Sequence, residues 1–261
     1  MVSAKDIIVK PIKSSIANEF VKKHHYSGKV VPNSQLHFGC FLNGVLGGVM
    51  SFGPSMDKNK VKNLVKDTPF NDFLELNRMA FGELLPKNSE SRCISVAMKL
   101  IKKNYPNIKW IISFADGCQC GDGTIYRASG FILTGITKNK TIIEMPNGDR
   151  IADINLNLQL KTVKQKYDNM CNLDPNKIYR SSDYIKNGAK PLEGFMLRYI
   201  YFLDKSKEKD LTVPILPFSK IEEIGASMYL GKKINHACVN SESGNQSVNG
   251  GASPTRTLHN L

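Results

Sequence analysis

The fold is decided by the stretch SESRCISVAMKLIKKNYPNIKWIISFAD, residues 89–116. From Cys93 to Ile101 its apolar residues recur at i, i+3, i+4, i+7 and i+8, which predicts a helix over Ser89–Asn104 with one buried face and Ser89 as the N-cap. Pro106 stops this helix. The nearly all-apolar run 109–115 predicts a buried central strand that ends on Asp116. A helix followed by such a strand indicates an α/β protein, in which ligands bind beyond the carboxyl ends of strands.

The sequence on either side of this stretch predicts further strands and helices. Asn43-Gly44 between two apolar runs is a strong hairpin signal. Strands are predicted at 6–12, 35–42, 45–52, 72–81, 131–136 and 195–203, and helices at 14–23 and 124–129. The order of these elements predicts an α/β sandwich built on a mixed sheet flanked by helices.

The remaining segments carry weaker patterns. Residues 57–66 are predicted to form a basic loop, and 138–194 an insertion or extension with a hairpin at 141–151 and a helix at 158–170. The predicted domain organisation is a catalytic domain at 1–204 and a C-terminal extension. That extension comprises a basic irregular segment at 205–238 and a disordered polar tail at 239–261.

Composition limits the function classes. The chain has 261 residues, 41% apolar, and 36 Lys and Arg against 23 Asp and Glu, which gives a net charge of +13. No apolar run approaches the roughly 20 residues that span a bilayer, and the N-terminus does not resemble a signal peptide, so we expect a cytoplasmic protein rather than a membrane, fibrous or disordered one. The positive charge favours nucleic acid as partner, although a solvated basic surface would also account for it.

The six cysteines do not follow a metal-binding or disulfide pattern. Cys40 and Cys93 lie among apolar neighbours and are predicted to be core residues. Cys118 and Cys120 form a C-x-C pair without a second pair at zinc spacing, which argues against a structural zinc site. Without a signal peptide, a disulfide framework is not expected.

Asp116 and Tyr126 are the first candidates for chemistry. Asp116 ends the central strand, and Tyr126 follows ten residues later on a short helix entered through glycines. Glycine lets a ligand approach the backbone closely. The structural alternative is that Asp116 caps the turn and Tyr126 packs on the sheet.

Arg78 and the start of the long helix are the next candidates. Arg78 lies inside a largely apolar strand, so it is expected to bind an anionic ligand, to pair with Glu75 or Asp116, or to lie exposed on an edge strand. The helix starts with the segment Asn88, Ser89, Glu90, Ser91 and Arg92. Free amides there favour anions; ordinary capping explains Ser89 but not Arg92, whose charge opposes the helix dipole.

The sequence lacks the common motifs for catalytic nucleophiles and for phosphate binding. His24 and His25 lie in a polar loop and are predicted to be solvated rather than paired ligands. No P-loop, dinucleotide fingerprint or G-x-S-x-G occurs, which argues against a P-loop NTPase, a standard dinucleotide fold and an α/β-hydrolase.

Four ordered blocks resemble one known family. They are HYS at 25–27, LNRMA at 76–80, PKNSESR at 86–92, and SFAD at 113–116 with GTIY at 123–126. Together, over roughly residues 20–136 and the strand RYIYFL at 198–203, they are similar to the Mom DNA-modification proteins of bacteriophages, relatives of the GNAT acyltransferases.

The resemblance implies both a fold and an activity. The fold would be GNAT-like, a mixed sheet splayed open between the strands at 72–81 and 109–115. The activity would convert the exocyclic amine of adenine in DNA to a methylcarbamoyl (acetamido-type) derivative, which protects phage DNA from restriction. The corresponding functional residues here would be Tyr26, Arg78, Ser91, Asp116 and Tyr126.

The resemblance also implies an acyl-type donor, whose identity the sequence leaves open. GNAT enzymes hold coenzyme A with a Q/R-x-x-G-x-G/A loop, and this chain has Met79-Ala80-Phe81-Gly82-Glu83-Leu84 after Arg78 instead, which argues against acetyl-CoA. The Cys118-Gln119-Cys120 segment replaces a Pro- and His-containing stretch of the family. A metal such as iron is left open, because no spacing indicates one.

These residues suggest a mechanism on double-stranded DNA. The target base must be flipped into a pocket. Asp116 would accept the proton of the adenine amine, and Tyr126 would stack on the base or protonate the leaving group. Arg78 and Ser91, beside Asn88, Ser89 and Arg92, would hold an anionic donor or a phosphate, and Tyr26 would close the pocket. Phosphate contacts are predicted for Lys58, Lys60, Lys62 and Lys66.

Two other function classes remain open at this point. One is a conventional GNAT N-acyltransferase acting on a small amine or a protein lysine, which predicts binding of acetyl-CoA. The other is a non-catalytic basic DNA-binding protein, which predicts DNA affinity without a covalent product. The oligomeric state is not indicated by the sequence.

Overall fold

A computed structural model describes residues 3–55, 58–140, 142–152, 156, 161–229 and 232–234, except for the side chain of Lys60. The predicted disordered tail at 239–261 lies outside these residues. The helices are α1 Ser14–His24, α2 Lys58–Lys62, α3 Ser89–Asn104, α4 Thr124–Ala128, α5 Lys161–Met170, α6 Ser181–Lys186 and α7 Ser219–Glu223. The strands are β1 Ile8–Pro11, β2 Leu36–Leu42, β3 Val45–Gly53, β4 Phe73–Phe81, β5 Trp110–Asp116, β6 Ile132–Lys138, β7 Ile142–Glu144, β8 Arg150–Ala152, β9 Lys190–Pro191, β10 Phe195–Phe202, β11 Met228–Tyr229 and β12 Lys232–Lys233.

A seven-stranded mixed sheet organises the chain, in the order β1-β2-β3-β4-β5-β10-β6. Only β4 and β5 pair in parallel, and the other neighbours are antiparallel. The predicted mixed sheet flanked by helices is therefore confirmed, with β5 at an interior position.

The sheet splits between β4 and β5. Their ladder pairs Phe73 with Trp110, Leu74 with Ile111 and Glu75 with Ile112, and then stops. Across β3, Ser51 pairs with Arg78 and Phe52 with Leu76, so β4 carries one extra residue at this point. A bulge of this kind bends a strand away from its neighbour. We call the opening beyond Glu75 and Ile112 the fork; it is the splay that the family resemblance implies.

Apolar side chains cover both faces of the sheet. One face packs against α3, whose Ile94, Ala97 and Ile101 are fully buried. On the other face, Phe73 and Trp110 stack with ring centroids 4.4 Å apart and contact the segment that follows α2. Because the faces alternate along β5, Phe114 and Asp116 lie on the α2 face and Ser113 and Ala115 on the α3 face.

Four local predictions from the sequence are wrong. The segment at 57–66 is not a solvated basic loop, because it contains α2. Val61 of this helix is buried, and so are Leu64 and Val65, which follow it. Residues 205–238 include a 3-10 helix, α7 and two short strands within their described part, rather than being irregular throughout. The sequence places Ile16, Phe20 and Val21 on one apolar face of α1, but Ile16 is exposed, and the buried residues are Ala17 and Val21.

The predicted N-cap of α3 is the fourth prediction that is wrong. Asn88, not Ser89, is its N-cap, with a left-handed backbone at φ 68°. Ser89 is the first helical residue, and its hydroxyl donates to the carbonyl of Pro86. Neither side chain caps a first-turn amide of the helix.

The described part of 139–194 is inserted in the chain between β6 and β10, two strands that pair with each other in the main sheet. It contains the three-stranded sheet β8-β7-β9 with α5 and α6, and a hydrophobic cluster around Ile143, Met145 and Tyr184. The predicted hairpin turns at Asn147-Gly148, with Gly148 at φ 85°. The predicted start of the following helix at 158 lies outside the described residues.

A buried carboxylate holds this inserted segment together. Asp168 is fully buried, accepts a 2.6 Å hydrogen bond from the Tyr184 hydroxyl and pairs with the Lys164 ammonium. Breaking a buried pair leaves an uncompensated charge. We expect Asp168→Ala to lower the free energy of unfolding by about 3–5 kcal/mol. Thermal unfolding by circular dichroism tests this, with Lys177→Ala, which removes the exposed cation of the 3.9 Å pair with Asp174, as the near-neutral control.

Candidate active site

A cavity of about 840 Å³ lies at the fork on the α2 face of the sheet. This volume is within the range of roughly 300–1,000 Å³ typical of small-molecule pockets. Three of the predicted site residues, Tyr26, Arg78 and Asp116, line it. The residues that line it further include Lys29, Glu75, Phe114, Gln119, Glu144, Asp149 and Arg150.

Asp116 is held at the carboxyl end of β5 by three donors. The backbone N–H of Cys118 donates to Oδ1 at 3.0 Å, and the Gln119 side-chain amide donates to Oδ2 at 3.1 Å. The Tyr26 hydroxyl donates to Oδ2 at 3.3 Å. The turn thus orients the carboxylate, as the capping alternative predicted, and at the same time places it on the cavity wall.

Tyr26 forms the rim of the cavity from the loop after α1. Its side chain is 53% exposed. Partial burial, followed by the negative charge of Asp116, raises the pKa of its phenol, so the hydroxyl remains a donor. His25 lies against the Tyr26 ring, with ring centroids 4.3 Å apart. Burial and the nearby Arg78 charge lower the pKa of His25 to about 4, which keeps the imidazole neutral at pH 7.

Arg78 lies next to the bulge in β4, beyond the last residue of β4 that pairs with β5. Its Nε donates to the Lys29 carbonyl at 2.9 Å and its Nη1 to the Asn77 carbonyl at 2.8 Å. These bonds tie the loop after α1 to β4 and leave other guanidinium donors for the cavity. β4 is not an edge strand, because β3 and β5 both pair with it, but at Arg78 only β3 does, since the ladder with β5 stops at Glu75. Arg78 is half-buried there rather than exposed.

Tyr126 lies on the other face of the sheet. Its ring packs between Phe131 and Tyr199, at centroid distances of 5.4 and 5.3 Å, and it does not line the cavity. This is the packing that the structural alternative predicted. Burial raises the pKa of its hydroxyl to about 12, with Ser113 lowering it and Glu75 raising it. The hydroxyl therefore stays protonated at pH 7.

The first turn of α3 is separate from the cavity wall. Asn88, Ser89, Ser91 and Arg92 are not among its lining residues, and the Ser91 hydroxyl donates to the Asn88 carbonyl at 3.3 Å. In the preceding loop, the Gly82 N–H donates to the Gly47 carbonyl of β3 at 2.9 Å and the Leu85 N–H to the Gly82 carbonyl at 3.5 Å. Leu84 and Leu85 side chains pack over Gly47. This loop does not fit a glycine-rich cradle for the pyrophosphate of coenzyme A.

The predicted phosphate-binding lysines differ in their accessibility. Lys58 is buried, with its ammonium 3.0 Å from the centre of the Phe70 ring and bonded to Asn71. Burial lowers its pKa. Lys62 is half-buried and Lys66 is exposed, while the side chain of Lys60 lies outside the described residues.

Two groups of cavity residues were missed as site residues by the sequence analysis. Glu75, considered there only as a partner of Arg78, lines the cavity itself. The β7–β8 hairpin, with Glu144, Asp149 and Arg150, forms the outer wall. Glu75 could have been identified from the sequence, because it is an acidic residue inside an apolar strand. The position of the hairpin over the fork could not, because no local sequence pattern indicates it.

The described residues give no indication of a bound metal or a membrane helix. Within these residues, no group of three or more His, Cys, Asp or Glu side chains is arranged to hold a metal ion. No helix in the same part of the chain is both long and apolar enough to cross a bilayer. The described cysteines are free thiols, namely Cys40, Cys93, Cys118, Cys120 and Cys171.

The fold and cavity define an α/β protein with a splayed sheet and a carboxylate-bearing pocket at the fork. Residues 6–220 match the Mom protein family, and the chain belongs to that family. It is 32% identical over 213 residues to the methylcarbamoylase mom of Escherichia phage Mu, covering 81% of this chain and 82% of that protein.

Solved acetyltransferases show a more distant likeness. The chain is 12% identical to an IAA acetyltransferase from Bacillus cereus, with a TM-score of 0.40 over 75% of this chain and 99% of that chain. It is 9% identical to a spermidine/spermine N-acetyltransferase from Vibrio cholerae, with a TM-score of 0.40 over 79% and 98%.

Proposed function

We propose that this protein is a transferase that modifies DNA by converting the exocyclic amine of adenine to a methylcarbamoyl (acetamido-type) derivative, thereby protecting the DNA from restriction. Membership of the Mom family and the similarity to a phage methylcarbamoylase support the reaction class. The observation that carries the proposal is the convergence of Tyr26, Arg78 and Asp116 on one cavity at the fork.

The target adenine must leave the duplex to enter the cavity. The adenine amine is hidden by pairing and stacking, and flipping a base costs about a few kcal/mol. Phe114 and Tyr26 offer aromatic surfaces in the cavity on which a flipped base can stack. Tyr126 lies on the opposite face, so we assign the stacking to Phe114 and Tyr26 instead.

Asp116 is suited to accept a proton from the adenine amine. The amine is a weak nucleophile because its lone pair is delocalised into the ring, so removing a proton as the new N–C bond forms assists attack. The electron pair of the broken donor bond leaves with the leaving group. The three hydrogen bonds to Asp116 fix the carboxylate in one orientation for this task.

Arg78 is suited to hold an anionic part of the donor or a DNA phosphate. Its guanidinium is anchored on two carbonyls, so its orientation is set before the ligand arrives. Simple acyl transfer does not give a carbamoylmethyl group, so the chemical identity of the donor is not assigned. Tyr126 can act as an acid only on a leaving group that reaches it through the fork.

Restriction digestion tests the proposed function. Plasmid from cells that express this protein is cut with enzymes whose sites contain adenine and with enzymes whose sites contain only G·C pairs. We expect resistance at the adenine-containing sites alone. Complete cutting by both sets, from cells with abundant folded protein, would contradict the proposal.

The salt dependence of DNA binding tests the phosphate contacts. A lysine that neutralises one phosphate contributes about 0.9 to the slope of log K against log salt. We expect Lys66→Met to reduce that slope by about 0.9, because Lys66 is exposed. Lys58→Met should leave it unchanged, because the Lys58 ammonium is buried on Phe70. Equal reductions in the two variants, measured by fluorescence anisotropy, would contradict this assignment.

A further inference from the structure

Glu75 occupies a special position in the fork. It is the last residue of β4 that pairs with β5, opposite Ile112, and its half-buried side chain lines the cavity. Residues Glu75 and Arg78 flank the bulge, and Arg78 directs Nε and Nη1 to backbone carbonyls. Two of the carboxyl groups that line the cavity therefore lie on the strands of the fork, Glu75 on β4 and Asp116 on β5. The other two, Glu144 and Asp149, lie on the β7–β8 hairpin, where Glu144 pairs with Arg150 and Asp149 accepts hydrogen bonds from Asn147 and Tyr167.

The surroundings of Glu75 and Asp116 differ. Asp116 receives hydrogen bonds from a backbone amide, a side-chain amide and a phenol, the contacts that suit an ionised carboxylate. Glu75 is the last residue of β4 that pairs with β5, and the nearby Ser55 hydroxyl is buried. Burial raises the pKa of Glu75, while Ser55 and the Arg78 charge oppose that rise. Two carboxyl groups in unlike environments are the usual arrangement when one serves as base and the other stays protonated.

We propose that Glu75 is a specificity-determining residue that reads the Watson–Crick edge of the flipped adenine as a neutral carboxylic acid. Its O–H donates to adenine N1, and its carbonyl oxygen accepts one N6–H. The other N6–H remains for Asp116. This inference rests on the proposed function and assigns the recognition of its substrate.

The hydrogen-bond inventory favours the neutral acid over an ionised carboxylate in this role. Adenine presents a ring-nitrogen acceptor beside an amine donor, so its reader must supply one donor and one acceptor. An ionised carboxylate has only acceptors, whereas a protonated one has both. A glutamine side chain has the same donor–acceptor pattern and nearly the same shape.

Two variants at Glu75 test the proposal. Nucleosides are analysed from plasmid co-expressed with the wild type, Glu75→Gln or Glu75→Ala. We expect the modified fraction of deoxyadenosine with Glu75→Gln to stay within about threefold of the wild-type fraction. With Glu75→Ala we expect this fraction to fall at least about tenfold, which corresponds to the loss of one hydrogen bond to a buried group. Loss in Glu75→Gln equal to that in Glu75→Ala would overturn the neutral-acid role, and so would full activity in Glu75→Ala. Circular dichroism verifies that each variant is folded.

A binding measurement keeps this inference separate from the proposed function. The purified protein is bound to oligonucleotides with one adenine, 1-deazaadenine or 7-deazaadenine opposite an abasic site. We expect 1-deazaadenine, which lacks N1, to bind at least about fivefold more weakly, and 7-deazaadenine to bind like adenine. The discrimination should survive in Glu75→Gln and disappear in Glu75→Ala. Equal binding of adenine and 1-deazaadenine by the wild type would overturn the role of Glu75, whereas absence of any modified nucleoside with the wild type would overturn the proposed function.

Discussion

Replacing Asp116 by Asn is expected to lower adenine modification by about 100-fold or more while DNA affinity is retained. A positioned proton acceptor contributes about 10²–10⁴ to a rate. The asparagine oxygen can still accept the Cys118 N–H bond, so the turn after β5 should persist. The modified fraction of deoxyadenosine and the DNA dissociation constant are measured on the same preparation.

Tyr26→Phe is the matched control for this variant. It removes one of the three hydrogen bonds to Asp116 and leaves the carboxylate in place. Tyr26→Phe should therefore lower adenine modification much less than Asp116→Asn does. A folded Asp116→Asn variant that no longer binds DNA, or that still modifies adenine at the wild-type level, would contradict the role of Asp116 as proton acceptor.

Replacing Arg78 by Lys is expected to lower modification by about 10- to 150-fold, the equivalent of about 1.5–3 kcal/mol for hydrogen bonds to a charged group. Lysine keeps the charge but lacks the planar fork that bonds the Lys29 and Asn77 carbonyls while presenting further donors to the cavity. The modified fraction at limited expression time measures this effect.

Arg92→Lys serves as the comparison for Arg78→Lys. Arg92 lies on α3 and does not line the cavity, so its replacement should have little effect. Equal losses in the two variants would indicate that the ligand is held at the start of α3 rather than at the fork. Full activity of Arg78→Lys would show that charge alone is required.

Elements with strong local signals could be predicted closely from the sequence. The apolar periodicity of 89–104 predicts α3 with its bounds as observed, because the helix is long and its buried stripe is continuous. The run that ends at Asp116 predicts β5 to within one residue, and its apolar character reflects burial on both faces. The position of Asp116 at a ligand edge follows from that strand.

Features that depend on distant contacts could not be predicted in the same way. The lysines of 57–66 suggested a solvated loop, but Val61, Leu64 and Val65 gain burial only when β4 and β5 lie beneath them. The side of the sheet on which Tyr126 packs depends on its contact with Tyr199, which is 73 residues away in the chain. The placement of the β7–β8 hairpin over the fork is likewise set by tertiary packing rather than by local sequence.

The central claim is that this protein chemically modifies adenine in DNA. Mass spectrometry of nucleosides from plasmid co-expressed with the protein tests it most directly, with Asp116→Asn as control. We expect a new deoxyadenosine-derived nucleoside whose added mass lies on the base and equals that of the methylcarbamoyl group, and we expect it to be absent with Asp116→Asn. Unmodified deoxyadenosine from cells that contain abundant folded wild-type protein, or an equal amount of the new nucleoside with Asp116→Asn, would contradict the account.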